Sequence, residues 1–322
     1  MENTNDTQLI VQVARMYYQR DLTQEQIAEA LNLTRQKVSR LLIRARTSGI
    51  VQITIVDPGQ PDEFLVQNLK DRFNLDEAVL INSDGMAGQT VRSRVGMAAA
   101  EYLCQKIEPG STVGIGWGRT LFEMVNSLPE RKQMNIQVVP LIGGIGDMAP
   151  YFQVNSLAMR LAETLGGSYR FLHIPAIIGN EAAYQALIGT QEATSIQEQW
   201  KKLDIAVIGI GQVEFQRISS MFFAEHISNT TLKEMEVDGA VGDICGRFFD
   251  ENGKALDSGA KVIGIDLADL HNTPKVIAVA GGMEKVRALL GALKGGYIKT
   301  LISDTTTARA VLAEMNNEGG EK

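Results

Sequence analysis

The first fifty residues show hydrophobic positions at helical spacing, interrupted twice by capping residues. Residues 7–19 place Ile10, Val13, Ala14 and Tyr17 on one face, which predicts a first helix. Thr23-Gln24-Glu25-Gln26 then reads as a capping box, with the Thr23 hydroxyl accepting from the Gln26 amide and the Gln26 side chain reaching back. It opens a short helix over 24–31 with Ile27, Ala28 and Leu31 on one face. Asn32-Leu33 make a turn, and Asn tolerates the left-handed conformation such turns need. Thr34 caps a third helix that runs to about Ser48 and stops at Gly49, and VQITIV (51–56) alternates as a short strand.

This spacing predicts a helix-turn-helix module of winged-helix-like layout. On its third helix Val38, Leu41, Leu42 and Ala45 form the inward stripe. A rotation of about 100° per residue puts Gln36 and Arg40 opposite it, flanked by Ser39, Lys37 and Arg44. Those outward residue types suit a DNA groove: Arg grips guanine with two donors, Gln grips adenine, and Lys neutralises phosphate. Arg35, Gln36, Ser39 and Arg40 are the expected base readers. Thr34, Lys37 and Arg44 are the expected phosphate contacts.

Beyond it the pattern changes. Residues 57–61, DPGQP, read as a linker, and 62–73 resume as a helix. Apolar runs then alternate with helical stretches. The runs are AVLIN (78–82), TVGIGW (112–117), IQVVPLIG (136–143), DIAVIGIG (204–211), KVIGID (261–266), KVIAVAGG (275–282) and TLISD (300–304), with helical patterns over 88–107, 154–165 and 283–294. Continuous apolar strands between amphipathic helices predict an α/β domain built on a largely parallel sheet covered on both faces. The expected organisation is 1–56 as DNA-binding domain, 57–61 as linker, and 62–322 as a Rossmann-like ligand-binding domain.

Ligands of such sheets bind at the carboxyl ends of the strands, and glycines gather there. Gly114-Ile-Gly116-Trp-Gly118-Arg119-Thr120 closes one strand, Gly143-Gly144-Ile-Gly146 the next, and Gly209-Ile-Gly211 and Gly281-Gly282 two more. Glycines let backbone approach a ligand, and amides at helix starts attract anions. Gly116, Gly118, Arg119, Thr120, Gly143 and Gly144 are therefore candidate effector residues. Asp243 is a candidate acceptor for ligand hydroxyls and Lys285 a second fixed cation. Together they suit a sugar or sugar phosphate. The incomplete G-x-G pattern makes a dinucleotide site a weak alternative.

Composition narrows the classes. At 322 residues the chain suits two domains, and 44% hydrophobic content supports a sizeable core. The net charge of −7 argues against a generic nucleic-acid binder, yet residues 34–49 carry Arg35, Lys37, Arg40, Arg44 and Arg46 and no acid. Cys104 and Cys245 stand alone, without metal-ligand spacing, and fit small buried hydrophobes in a reducing cytoplasm. No apolar run reaches transmembrane length, and the first twenty residues do not form a secretory segment. His173, His226 and His271 are scattered, and no HExxH, GxSxG or Walker loop occurs, so neither cofactor nor metal is expected.

Several long motifs, in order, carry a resemblance to a known family. LTQEQIAEALNLTRQKVSRLL and ARTSGIVQI resemble the DNA-binding half of SorC/DeoR-type sugar-binding regulators. VGIGWGRTL (113–121), PLIGG (140–144), DIAVIGIG (204–211), GAVGDICGRFFDENG (239–253) and AVAGGMEKVRALLGALKGGYIKTLISD (278–304) resemble its effector half. The resemblance covers essentially the whole chain. It implies an effector fold like ribose-5-phosphate isomerase and glucosamine-6-phosphate deaminase, used for sensing, in a homodimer or homotetramer bound to double-stranded operator DNA. It also implies that Gly116, Gly118, Arg119 and Thr120 sit at a phosphate-gripping loop. Asp243 and Lys285 match pocket residues of a branch responding to a phosphorylated quorum signal. Some relatives use a Schiff-base lysine; the Gly143–Ala149 loop holds Asp147 and no lysine, so no adduct is expected there. Two alternatives stand beside the effector-controlled regulator. One is a sugar-phosphate isomerase or deaminase with an appended DNA-binding domain, for which Asp243 is the lone carboxylate. The other is an adaptor that binds no small molecule.

Overall fold

The structure, a computed structural model, describes residues 4–18, 20, 22–48, 50–51, 62–129, 134–145, 153–213, 235, 238–257 and 259–319. The chain divides into two compact units, Met1–Pro58 and Gly59–Lys322.

The first unit holds helices α1 (Thr4–Tyr18), α2 (Gln24–Ala30) and α3 (Arg35–Thr47). Both arms of the capping box form: the Thr23 amide donates to Gln26 Oε1 at 2.9 Å, and the Gln26 amide to Thr23 Oγ1 at 3.3 Å. Asn32 adopts a left-handed φ of 51°, turning the chain between α2 and α3. Ile10, Val13, Ile27, Val38, Leu41, Leu42 and Ala45 form one buried cluster, so the stripe read from α3 faces inward. The expected strand over 51–56 falls outside the described residues beyond Val51, as does the linker.

The second unit opens with α4 (Glu63–Phe73), capped by Asp62, whose Oδ1 accepts from the Leu65 amide at 3.0 Å. Its seven-stranded sheet contains β1 (Glu77–Ile81), β2 (Thr112–Ile115), β3 (Gln137–Pro140), β4 (Ser168–Tyr169), β6 (Ile205–Ile208), β12 (Lys275–Val279) and β13 (Thr300–Asp304). They run in the order β1-β13-β12-β6-β2-β3-β4, and every adjacent pair is parallel. Alternate residues of one strand enter different cores. Val207 and Ile277 join one cluster with residues of α5 (Gly88–Lys106), α6 (Arg119–Asn126) and α7 (Val154–Leu165). Ile208 and Ala278 join another, with residues of α4, α9 (Gln191–Trp200), α11 (Val286–Lys294) and α12 (Thr305–Gly319). Burial on both faces is why these strands read as unbroken apolar runs. The short helices α8 (Glu181–Ile188) and α10 (Leu267–Asn272) complete the described set.

One expected strand is corrected. KVIGID (261–266) does not join the parallel sheet; β11 (Lys261–Val262) runs antiparallel to β5 (Ile177–Ile178), and Gly264 forms an isolated antiparallel bridge with Ile142. Its remaining backbone is satisfied elsewhere. The Arg247 guanidinium donates to the carbonyls of Val262 at 3.3 Å and Gly264 at 3.1 Å, and the Ile265 amide donates to Leu141 O at 2.8 Å. The segment is apolar because Ile263 and Ile265 are buried, not because it belongs to the parallel sheet. A second, antiparallel sheet in the order β10-β9-β8-β7 was not anticipated. It comprises β7 (Gly211–Gln212), β8 (Ala240–Ile244), β9 (Arg247–Asp250) and β10 (Ala255–Leu256).

Candidate functional site

On α3 the groove-reading candidates separate cleanly from the core. Thr34, Arg35, Gln36, Lys37, Arg40 and Arg44 are exposed, and Ser39 is half-buried. Thr34 Oγ1 accepts from the Lys37 amide at 3.2 Å, so its oxygen caps the helix while its proton can still be donated outward. Arg35 Nε pairs with Glu25 Oε1 of α2 at 2.9 Å. Both side chains are mainly exposed, and such a pair contributes about 0–1 kcal/mol, little enough for DNA to displace. The first turn of α3 carries no acid, so nothing within it opposes a phosphate at the helix start.

In the second unit, strand order locates the cleft. From β2 the chain winds through α6 to β3 and β4 on one side, whereas β6, the other neighbour of β2, leads to β12 and β13 on the opposite side. The winding direction reverses between β2 and β6, and ligands of doubly wound sheets bind at the carboxyl ends of such a pair. The two loops touch there: a Cβ on Gly209 would stand 3.3 Å from Trp117 O. Gly118, with φ of 127°, starts α6 and leaves it with no side-chain cap. The first-turn amides have no partner within the helix, so an anion at this point is favoured. Arg119 is exposed and Thr120 half-buried at the same turn.

β7 continues from the end of β6, and Asp243 on β8 lies opposite Gly211. Asp243 is 4% exposed, and its Oδ2 accepts from the Gly246 amide at 3.0 Å. Only glycine fits at 211, since a Cβ would stand 1.7 Å from Asp243 Oδ1. Burial pushes the Asp243 carboxyl up to about 6, although the Gly246 amide and the Lys285 charge oppose the shift. Lys285 lies in a 3-10 turn, Met283–Lys285, just before α11. Burial holds its amine below the usual lysine range despite Asp243 and Glu284, with Arg119 and Arg92 adding to the depression. The fold thus brings Asp243, Lys285 and Arg119 into one electrostatic cluster, which their separation in sequence conceals.

Three candidate glycines behave differently. The Gly143 amide donates to Ile263 O at 2.9 Å and the Gly144 amide to Ile174 O at 2.8 Å, so neither is available to grip an anion. A Cβ on Gly143 would stand 2.4 Å from Ile174 O; this glycine admits a close chain crossing. The Gly116 amide is likewise committed, to Val207 O at 2.9 Å. Gly114 lies within β2, under Leu141 and Leu203. Gly146 and Asp147 lie outside the described residues.

Sequence reasoning missed Arg92. It lies on α5, half-buried, and burial followed by the Arg119 charge lowers its pKa, while Glu284 and Glu123 raise it. The available signal was an arginine early in the helix that follows β1, on the ligand end of the sheet. Cys104 and Cys245 are buried and not joined in a disulfide, and burial pushes the Cys245 thiol up. His173 and His271 are exposed, and His226 lies outside the described residues. Among the described residues no group of His, Cys, Asp or Glu could hold a metal, and no helix is long and apolar enough to cross a membrane.

Asp243 makes stability depend on pH. Its folded pKa lies above the unfolded value near 3.9, so its contribution is fully present below about pH 4 and is lost as pH rises through about 6. The amplitude is on the order of 3 kcal/mol. Unfolding by denaturant between pH 4 and 7 is expected to show this slope, and Asp243→Asn is expected to flatten it; an unchanged slope in the variant contradicts the assignment.

Comparison with known proteins agrees with both units. The family described as "Putative sugar-binding domain" matches residues 62–313, and sigma-70 region 4 matches residues 11–48. The chain is 35% identical to the sorbitol operon regulator of Klebsiella pneumoniae, over 97% of this chain and 100% of that one. It is 33% identical to the deoxyribonucleoside regulator of Bacillus subtilis (strain 168), over 96% and 98%. The crystal structure of the full-length Klebsiella regulator SorC superposes with a TM-score of 0.76, covering 96% of this chain and 100% of that chain at 35% identity. These relatives are transcriptional regulators, which decides against the isomerase or deaminase alternative. The chain belongs to the SorC family of transcriptional regulators, with a helix-turn-helix module followed by a sugar-binding domain.

Proposed function

We propose that this regulator is a cytoplasmic homo-oligomer, dimer or tetramer, whose affinity for a pseudo-palindromic operator is set by a sugar or sugar phosphate. Residues 1–56 serve as the DNA-binding domain, 57–61 as linker and 62–322 as effector and oligomerisation domain. The observation that carries the effector reading is the cluster of Asp243, Lys285, Arg119 and Arg92 beside the uncapped start of α6, at the reversal of the sheet. Asp243 accepts from ligand hydroxyls. Lys285, Arg119 and the amides at Gly118–Thr120 hold an anionic group, which favours a phosphate ester. The relatives' names, a sorbitol operon regulator and a deoxyribonucleoside regulator, support a carbohydrate effector.

On the DNA side, Arg35, Gln36, Ser39 and Arg40 read bases, and Thr34, Lys37 and Arg44 hold phosphates. Paired α3 helices of an oligomer suit a two-fold operator. A coupling of about 1–3 kcal/mol between effector and operator changes affinity about 5- to 150-fold, enough for a switch.

Thermal unfolding of the purified protein against sugars, polyols and their phosphates tests the effector reading. A compound at about 100 times its dissociation constant adds about 2.7 kcal/mol, a plainly visible rise in Tm. The expected result is a shift confined to a phosphorylated sugar or polyol. Shifts by neutral sugars alone contradict the phosphate assignment, and no shift across the panel favours the adaptor alternative.

A further inference from the structure

At the end of β13 the chain passes directly into α12, and the last strand residue, Asp304, is 1% exposed. Both its oxygens accept hydrogen bonds. Oδ1 accepts from Ser83 Oγ at 2.7 Å and the Thr307 amide at 3.0 Å; Oδ2 accepts from Thr307 Oγ1 at 2.6 Å and the Gly282 amide at 2.9 Å. The Gly282 amide also donates to Thr307 Oγ1 at 2.8 Å. Hydrogen bonds to a charged group are stronger than neutral ones, and a satisfied buried network rigidifies what it joins.

This network joins two loops that lead to the effector cluster. On one side, Gly282 holds a φ of 106° and accepts from the Lys285 amide at 2.9 Å, so the residue gripped by Asp304 is bonded to the backbone of Lys285. The neighbouring Gly281 lets the carboxylate come close, since a Cβ there would stand 2.7 Å from Asp304 Oδ2. On the other side, Ser83 lies in the loop from β1 into α5, and its carbonyl accepts from the Met86 amide at 3.0 Å. Arg92 lies on that helix.

We propose that Asp304 is a positioning residue of the effector site: without touching the effector, it fixes the Gly281–Lys285 turn against the β1–α5 loop and so presets Lys285 between Asp243 and Arg92. This rests on the assignment of Lys285 to the effector site. The loss of one such contact leaves the fold standing but frees the turn, so the ligand must then order it on binding.

The test uses the full chain as wild type, Thr307→Val, Thr307→Ser and Asp304→Asn. Two readouts are followed by peptide mass spectrometry: amide exchange of the segment spanning Gly281–Lys285, and the pH profile of Lys285 acetylation by trace acetic anhydride. Thr307→Val removes both hydrogen bonds of that hydroxyl, the one donated to Asp304 and the one accepted from the Gly282 amide, and is expected to speed exchange of that segment at least about fivefold. It is also expected to move the Lys285 profile towards that of exposed lysines. Thr307→Ser, which keeps the hydroxyl, restores both, and Asp304→Asn reproduces the loss. Should Thr307→Val fail to fold, Ser83→Ala probes the opposite side of the network. Variants that lose Tm but keep the wild-type exchange and Lys285 profile reduce Asp304 to a structural residue and overturn the proposal. A wild-type Lys285 that already labels like an exposed lysine overturns the effector-site reading itself.

Discussion

Lys285→Ala is expected to leave operator binding intact and to abolish most of the response to the effector. The residue contributes a charged donor in a desolvated setting, where a hydrogen bond to a charged group contributes about 1.5–3 kcal/mol. That corresponds to a loss of effector affinity of about ten- to more than a hundredfold. A second effect has the same sign. The Lys285 charge holds the Asp243 pKa down, so its removal raises the Asp243 pKa further. A protonated Asp243 offers a donor where the ligand hydroxyl needs an acceptor. Lys285→Arg keeps the charge but not the compact shape, and is expected to recover only part of the affinity. Calorimetric titration with the effector and gel-shift titration with the operator separate the two functions. Unchanged effector affinity in Lys285→Ala removes the residue from the site; loss of operator binding places it in a different role.

On the DNA side, Arg40→Ala is expected to weaken operator binding by about 1–3 kcal/mol and to relax preference at one base position. Arg40 is exposed on the face of α3 opposite Val38, Leu41, Leu42 and Ala45, so its removal touches no core contact. Stability is expected to stay within about 0.5 kcal/mol, as for other surface substitutions. Lys37→Ala is the informative contrast. A phosphate contact weakens binding to all sequences alike and lowers the salt slope by about one. Binding to the operator and to single-base variants, at several salt concentrations, distinguishes the two. An Arg40 variant with a uniform loss and a shallower salt slope makes Arg40 a phosphate contact instead.

The helix-turn-helix was legible because its determinants are local. Thr23, Gln26, Asn32 and Thr34 act within three residues of themselves, and the α3 stripe repeats within one helix. The parallel strands were legible because burial on both faces writes an unbroken apolar run. KVIGID shows where that signal fails: Ile263 and Ile265 are buried, but Arg247 and Leu141 supply the backbone partners that a strand would have supplied. The glycines illustrate the same limit. Gly118 opens a helix at the cleft while Gly143 admits a chain crossing, and only the partners of their loops tell them apart. Arg92 and Asp304 were missed because the roles proposed for them depend on which strands lie side by side, and strand order is not written in periodicity. Lys285 and Asp243 carried a signal in their residue types, but only the fold brings them together.

In the proposed mechanism one small molecule and one operator are linked through this chain. The measurement that tests it most directly is a pair of titrations: operator affinity with and without saturating effector, and effector affinity with and without operator. Linkage requires both to change by the same factor, about 5- to 150-fold. Equal effector affinity in the presence and absence of operator contradicts it.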